Sequence, residues 1–352
     1  MAELGIIEGF YGKPWSWAAK QKVASALKPH GYSFYIYAPK ADFFLRERWQ
    51  EDHPRDIEEG LRELSAHCRS IGVRFGVGLS PYEIYRGFDA AAKDALGKKL
   101  AWLDSIGLDD LAILFDDMRG DLPDLAKTQA EIVHWSGEHS RATRLITCPS
   151  YYTDDPDLDR HFGQRPANYL EDLGRLLDKK VEVFWTGEDV CSREFSPGHL
   201  KRVAEQIGRK PFLWDNYPVN DGPRMSQHLH IRAFTGRPGS IAPYISGHSV
   251  NPALQPMLSL IPCISLAESY RLNENYEYAA AFTRAAIEIG GEDFAKTLRR
   301  HVPTLQEMGL DLLSDETKTG LRHIYGKFDN DAAREVLGWL DGHDTMRPKP
   351  KG

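Results

Sequence analysis

Asp116 and Asp117 sit side by side at the end of the apolar run AILFDD (112–117), and they offer more chemistry than any other neighbours in the chain. Successive strand residues point to opposite faces, so two carboxylates in mid-strand would be costly to bury. At the end of a strand both can turn into the mouth of a pocket. Their mutual repulsion then raises one pKa, so that one acts as an acid while the other stays ionised. Taken alone, such a pair also fits a solvated loop start or two metal ligands.

Polar residues close other apolar runs as well. Glu8 and Gly9 follow the first, Lys40 the second, Cys148 and Tyr152 the fifth, and Trp185 to Glu188 the sixth. Trp214, Asp215 and Asn216 close the seventh, and Asn251 the eighth. Ends that merely emerge into solvent would be short and rich in Ser or Gly, which does not describe Trp beside carboxylate and amide. Trp15, Trp185 and Trp214 supply flat apolar faces of the kind that suit a sugar ring, with its CH faces and rim of hydroxyls. Lys40, Asn216, Asp221 and Asn251 are donors and acceptors suited to hydroxyl groups. Trp102, Trp135 and Trp339 read as core residues.

Metal and nucleophile chemistry find less support. His228 and His230 alternate in HLHIR without an H-E-x-x-H motif or a third nearby ligand. No G-x-S-x-G elbow occurs, and Cys148 lacks an identifiable His partner, so it reads as a pocket-lining residue. No metal or cofactor is expected. The four cysteines (68, 148, 191 and 263) form no C-x-x-C pair and suit a reducing compartment.

The elements that would bring these residues together are short β-rich runs alternating with helical segments. The runs are GIIEGF (5–10), FYIYAP (34–39), FGVGLS (75–80), AILFDD (112–117), LITCPS (145–150), VFWTG (183–187), FLWDN (212–216) and YISGHSVN (244–251). Helical patterning covers 16–29, 54–71, 88–105, 122–139, 166–178 and 196–207. Near-continuous apolar runs are those of parallel strands buried on both faces. A doubly wound sheet would carry a Gly-rich phosphate turn after its first strand, and EGFYGKPW is not one. The expected fold is therefore an α/β (β/α)8 TIM barrel over residues 1–268. A C-terminal all-helical region over 269–345 and a tail over 346–352 complete the chain.

At 352 residues the chain is long enough for one such barrel, which takes roughly 250 residues, plus an appendage. Its net charge of −7 argues against non-specific nucleic-acid binding. No apolar run approaches the roughly 20 residues needed to cross a bilayer. The start, MAELGIIEGFYGKPW, has no signal-peptide pattern, which points to the cytoplasm.

The motifs EGFYGKPW (8–15), YAPKADFF (37–44), GLSPYE (78–83) and LFDDM (114–118) strongly resemble glycoside hydrolase family 84. That family holds the β-N-acetylglucosaminidases that include protein O-GlcNAcase and hyaluronidase-like bacterial enzymes. The similarity continues through CPSYY (148–152), VFWTGEDV (183–190), FLWDNYPVND (212–221) and the Asn-Pro at 251–252, spanning roughly residues 4–268. It implies exo-acting, retaining, substrate-assisted hydrolysis, in which the sugar's own acetamido oxygen displaces the leaving group and forms an oxazoline. This is an exception to the two-carboxylate scheme.

By the same resemblance, Asp116 would hold the acetamide N–H, Asp117 would be the acid and base, and Tyr152 would position the acetamide oxygen. Gly9, Lys40, Trp214, Asn216, Asp221 and Asn251 would grip the sugar, and Cys148 would line the pocket behind the N-acetyl methyl. The implied partners are β-GlcNAc glycosides or O-GlcNAc-modified proteins, not nucleic acid or membrane. HLHIRAFTGRP (228–238) departs from the family's usual stretch after the seventh strand, and it should reach the rim of the cleft. The animal enzymes' stalk has no counterpart, so a groove built by a partner's stalk is expected to be absent. Two other readings are a non-catalytic GlcNAc-binding barrel and an endo-acting glycosidase on a GlcNAc-containing polymer.

Overall fold

The computed structural model describes residues 2–346. The eight apolar runs form parallel strands: β1 (Leu4–Glu8), β2 (Tyr32–Tyr37), β3 (Arg74–Leu79), β4 (Asp110–Leu114), β5 (Arg144–Cys148), β6 (Glu182–Trp185), β7 (Phe212–Asp215) and β8 (Gly247–Val250). They pair in sequence order, and β8 closes the barrel on β1. Helices α1 (Trp17–Leu27), α2 (Arg55–Ser70), α3 (Ala90–Ile106) and α4 (Leu125–His139) connect the first five strands. The helices α5 (Asp157–Phe162) and α6 (Tyr169–Leu176) lie between β5 and β6, α7 (Pro197–Ile207) follows β6, and α8 (Pro256–Leu272) follows β8. Ser16, Asp89 and Ser196 cap α1, α3 and α7 by accepting backbone N–H bonds.

The strands end earlier than their apolar runs. β2 stops at Tyr37 and not at Pro39, β4 at Leu114 and not at Asp117, and β5 at Cys148 and not at Ser150. Burial continues past the ladder: Phe115 is fully buried beyond β4, and its N–H donates to the Cys148 carbonyl at 2.9 Å. Asp116 and Asp117 therefore belong to the loop after β4.

Phe34 of β2 and Phe212 of β7 meet at a centroid distance of 5.4 Å. Those strands are not neighbours, so the contact runs through the barrel interior. Gly5 makes room for it, since a Cβ there would lie 2.3 Å from the Phe34 ring. Phe184 then bridges Phe212 (4.9 Å) to Trp214 (5.2 Å), extending the aromatic column to the C-terminal mouth. The opposite end is closed by charge. Arg74 pairs with Asp110 (3.1 Å) and Glu3 (2.5 Å), and Arg144 pairs with Glu3 (3.1 Å) and Glu182.

Between β7 and β8 the chain forms only short 3-10 turns, Met225–Gln227 and Gly239–Tyr244. This connection is held from two sides. Arg237 donates two bonds to Asp215 (2.7 and 2.8 Å) and others to the carbonyls of Ser192 and Thr235, tying the loop after β6, the end of β7 and the β7–β8 connection together. His248 of β8 bonds Asp215 at 3.0 Å and the Tyr270 hydroxyl of α8 at 2.8 Å. From the other side, the Gln306 Oε1 accepts the N–H groups of Ile231 and Arg232 at 2.9 Å each.

The remaining helices are α9 (Tyr278–Gly290), α10 (Glu292–Val302), α11 (Asp315–Tyr325) and α12 (Asp331–Leu340), with a π-helical turn at Pro303–Met308. One continuous apolar core runs from the barrel into these helices, and α12 packs on α8 and α9. Glu335 of α12 accepts the N–H groups of Met257 and Leu258 at 2.8 Å each, at the start of α8. Ser226 joins the same contact, its carbonyl accepting the Trp339 Nε1 (3.1 Å) and its hydroxyl the Met346 N–H (2.9 Å). α8 passes through residue 268, and all but Met346 of the expected tail lies outside the described residues. No helix among the described residues is long and apolar enough to cross a membrane.

Burial alone would raise the pKa of Asp215, but Arg237, together with His248, outweighs it and holds the carboxyl below its ordinary value. A lowered acid pKa gives stability above the unfolded value of about 3.9 that is lost as pH falls through the folded value. Arg237→Met should thus cost about 3–5 kcal/mol at pH 7 in urea unfolding. The difference from wild type should begin to shrink as pH falls past the unfolded value of about 4, and should vanish only below the lowered folded value, where Asp215 is neutral in both chains.

Candidate active site

Ten side chains or backbone groups singled out from the sequence line one cavity of ≈ 150 Å³ at the C-terminal mouth: Gly9, Lys40, Asp116, Asp117, Cys148, Tyr152, Trp214, Asn216, Asp221 and Asn251. Cys148 and Trp214 come from the C-terminal ends of β5 and β7, and the others from the loops after β1, β2, β4, β5, β7 and β8, so barrel closure alone unites positions as distant as 9 and 251.

The two adjacent carboxylates meet different surroundings. Asp116 is buried, and the Lys40 Nζ donates to its Oδ2. Burial pushes its pKa up, but the Lys40 ammonium and the Arg46 guanidinium more than reverse this and hold it below the usual carboxylate value. Its buried Oδ1 has no hydrogen-bond partner among the described residues. Asp117 has a left-handed backbone (φ 55°), a conformation that Asp tolerates better than most residues. Its carboxylate accepts the Tyr11 hydroxyl at 2.7 Å and the Tyr152 hydroxyl at 2.9 Å. Burial, and then the neighbouring Asp117, push both phenols well above their ordinary value, so they remain donors.

The floor and far wall are equally ordered. Trp214 donates from Nε1 to the Asn216 Oδ1 (3.1 Å), which also accepts from the Asn251 Nδ2 (2.9 Å). The Asn216 Nδ2 donates to the Val190 carbonyl at 2.8 Å, and Gly9 N–H donates to the Asn251 Oδ1 at 3.2 Å. Asp221 accepts the Tyr11 N–H at 2.7 Å, and burial raises its pKa. Lys40 stands 5.6 Å from the centre of the Trp214 ring. Burial also drives the Cys148 thiol far above its ordinary pKa, which makes it a wall and not a thiolate nucleophile.

Several expectations need correction. Of the three tryptophans near strand ends, only Trp214 lines the cavity. The Trp185 indole instead donates to the His199 Nε2 of α7 at 3.0 Å, and that of Trp15 donates to the Ala253 carbonyl at 3.1 Å. Alternation explains Trp185, whose side chain leaves the strand toward the helical layer. Glu8 also turns outward, to Lys20 (3.0 Å) and the Tyr35 hydroxyl (2.7 Å). Asp215 is consumed by its ion pair with Arg237. Trp339 is fully buried, whereas Trp102 and Trp135 are half-buried in the helical layer.

Two residues escaped the sequence reading. Tyr11 lies inside EGFYGKPW but has no distinguishing spacing. Arg46, which donates to the Asp117 carbonyl at 3.1 Å, lies two residues beyond YAPKADFF. His228 and His230 bond backbone carbonyls through Nδ1, at 2.9 Å to Gln306 and 2.8 Å to Val219. Among the described residues no group of three His, Cys, Asp or Glu side chains is placed to ligate a metal.

Comparison with known proteins places the cavity in context. The family model for beta-N-acetylglucosaminidase matches residues 4–302. Protein O-GlcNAcase of Mus musculus is 28% identical over 286 residues, covering 77% of this chain and 30% of the relative. The Rattus norvegicus protein gives the same figures. The chain thus spans less than a third of the length of these curated relatives. An O-GlcNAc hydrolase of Thermobaculum terrenum, solved as a mutant, superposes with a TM-score of 0.81 at 27% identity, covering 96% of this chain and 80% of that one.

Gly9 allows the Trp214 ring to lie against the backbone, since a Cβ there would fall 2.3 Å from the indole. Gly9→Ala should therefore destabilise the chain by about 1–3 kcal/mol through overpacking. Chemical denaturation measures this, and unchanged stability would show that the indole is free to move.

Proposed function

The chain belongs to the β-N-acetylglucosaminidase family, and on that premise we propose that it is a retaining exo-β-N-acetylglucosaminidase able to release O-linked GlcNAc from serine or threonine. The observation that carries the reading is the buried Oδ1 of Asp116, without a partner among the described residues, on a carboxylate held ionised by Lys40 and Arg46. A buried acceptor without a donor calls for an explanation. The N–H of a bound acetamido group is such a donor, and it gains positive charge as its carbonyl oxygen attacks the anomeric carbon.

In that attack the bond from C1 to the leaving oxygen breaks. Asp117 gives its proton to the leaving oxygen, and the acetamido oxygen bonds to C1 and closes the ring as an oxazolinium, whose N–H stays hydrogen-bonded to the Asp116 carboxylate. Water then adds to C1 from the vacated side. Asp117 takes the water proton, the ring reopens, and the sugar leaves with its original configuration. The tyrosine hydroxyls bond different oxygens of Asp117, Tyr11 the Oδ2 and Tyr152 the Oδ1. A proton on Oδ1 weakens that oxygen as an acceptor, so Tyr152 turns to donate to the acetamido oxygen and orients it. Gly9, Trp214, Asn216, Asp221 and Asn251 surround the ring, and Cys148 backs the N-acetyl methyl. The small volume of the cavity supports release of a single terminal sugar over internal cleavage of a polymer. The presence of both carboxylates supports catalysis over binding alone. Four free cysteines, three of them buried, fit a reducing compartment such as the cytoplasm.

An aryl β-N-acetylglucosaminide should be hydrolysed between about pH 5 and 8, and no turnover there would refute the reading. Asp117→Asn, which keeps a residue tolerant of the left-handed backbone, should lose about 10²–10⁴-fold on glycosides with poor leaving groups. It should lose much less on activated aryl glycosides, and equal losses would contradict the acid role. Lys40→Met removes the cation that lowers the pKa of Asp116. Since the ionised form is the active one, the acid limb of kcat/KM should move to higher pH.

A further inference from the structure

Outside the sugar cavity, and sharing Cys191 and Asn216 with it, lies a groove of ≈ 1170 Å³. One wall is the loop after β6 and the connection between β7 and β8, and the other is α9, α10 and the π-helical turn. Among the described residues, four arginines line it (Arg193, Arg232, Arg237 and Arg299) and no aspartate or glutamate does. Arg237 is committed to Asp215, and Arg232 to Glu307 at the rim. Arg193 and Arg299 are exposed, and neither takes part in an ion pair among the described residues. Burial lowers the pKa of His230, so it adds no charge near neutral pH. Tyr278 (57% exposed) and Phe282 supply apolar surface between the charges. On a chain of net charge −7, a groove with uncompensated cations and no lining carboxylate is a local reversal of sign.

We infer that this groove is the aglycone subsite, and that it receives an acidic polypeptide segment flanking the glycosylated serine or threonine. The inference rests on the activity proposed above. The cavity and the groove share the wall of Cys191 and Asn216, so a peptide that leaves the sugar beside Asp117 would cross that wall to enter the groove and pass Arg193 and Arg299. Carboxylate side chains of the substrate would pair with those two guanidiniums, and Tyr278 would pack on the peptide between them. Both walls come from this one chain, so no partner subunit is needed to complete the subsite.

The test compares two synthetic O-GlcNAc-serine peptides, identical except for glutamates or lysines on both sides of the serine, with an aryl β-N-acetylglucosaminide as a third substrate. At low salt the glutamate peptide should be preferred in kcat/KM by about tenfold, the size expected of two exposed ion pairs. The preference should shrink as salt is raised. In Arg193→Glu/Arg299→Glu the ratio should reverse or fall to near one. Because it compares two substrates on one preparation, a partly misfolded variant does not alter it. Hydrolysis of the aryl glycoside with no peptide preference would overturn the groove assignment and leave the activity standing. If the aryl glycoside is not cleaved, the activity fails, and the groove is read by fluorescence anisotropy of the labelled, unglycosylated peptides. Binding of the glutamate peptide that the double variant abolishes then upholds the groove as an acidic-peptide site and overturns its role as an aglycone subsite, and absence of binding overturns both.

Discussion

An ionised carboxylate buried in a barrel mouth persists only where cations meet it, and Asp116 is met by two. Lys40 reaches its Oδ2 from the loop after β2, and Arg46, further along that loop, adds a second positive charge. The same Arg46 guanidinium holds the Asp117 carbonyl at 3.1 Å and so braces the left-handed turn between the acids. Without those charges the desolvation of Asp116 would go unopposed, and the proton would stay on the carboxyl. The arrangement also sets the geometry around it. Lys40 stands over Trp214 from the far side of the barrel, and Trp214 orients the Asn216–Asn251 amide pair.

Charge is distributed along the barrel axis with a clear division. At the N-terminal end, paired arginines and carboxylates neutralise one another around Arg144. In the middle, Phe34, Phe212 and Phe184 exclude water. At the C-terminal end Asp116 keeps an unused acceptor, whereas Asp215 one layer outward is saturated by Arg237 and His248. Two buried carboxylates near the same rim thus differ in function because one has all its hydrogen bonds made and the other does not.

Much of this was legible in the sequence. Eight apolar runs with polar ends specify a barrel, and each helical pattern between them lies within a few residues of the observed helix, such as 54–71 against Arg55–Ser70. Strand ends were less legible, because Phe115 and its counterparts remain buried after the ladder has stopped. Hydrophobicity reports burial and not hydrogen-bond register. The direction of a terminal side chain was also hidden. Trp185 and Trp214 occupy similar places in similar runs, yet one faces α7 and the other the cavity. Tyr11 and Arg46 could not be found by spacing, since their partners lie 106 and 71 positions away and meet them only in the closed fold.

The fastening of the β7–β8 connection by the C-terminal helices bears on biosynthesis. A chain leaves the ribosome N-terminus first, and all eight strands have been made by Val250. The groove wall built from residues 228–237 gains Gln306 as its anchor only later, and Ser226 gains Trp339 and Met346 later still. The start of α8 likewise receives the Glu335 carboxylate after every strand has been translated. A nascent chain can therefore close its barrel while one side of the mouth remains unanchored, and that side sets only once α12 has emerged.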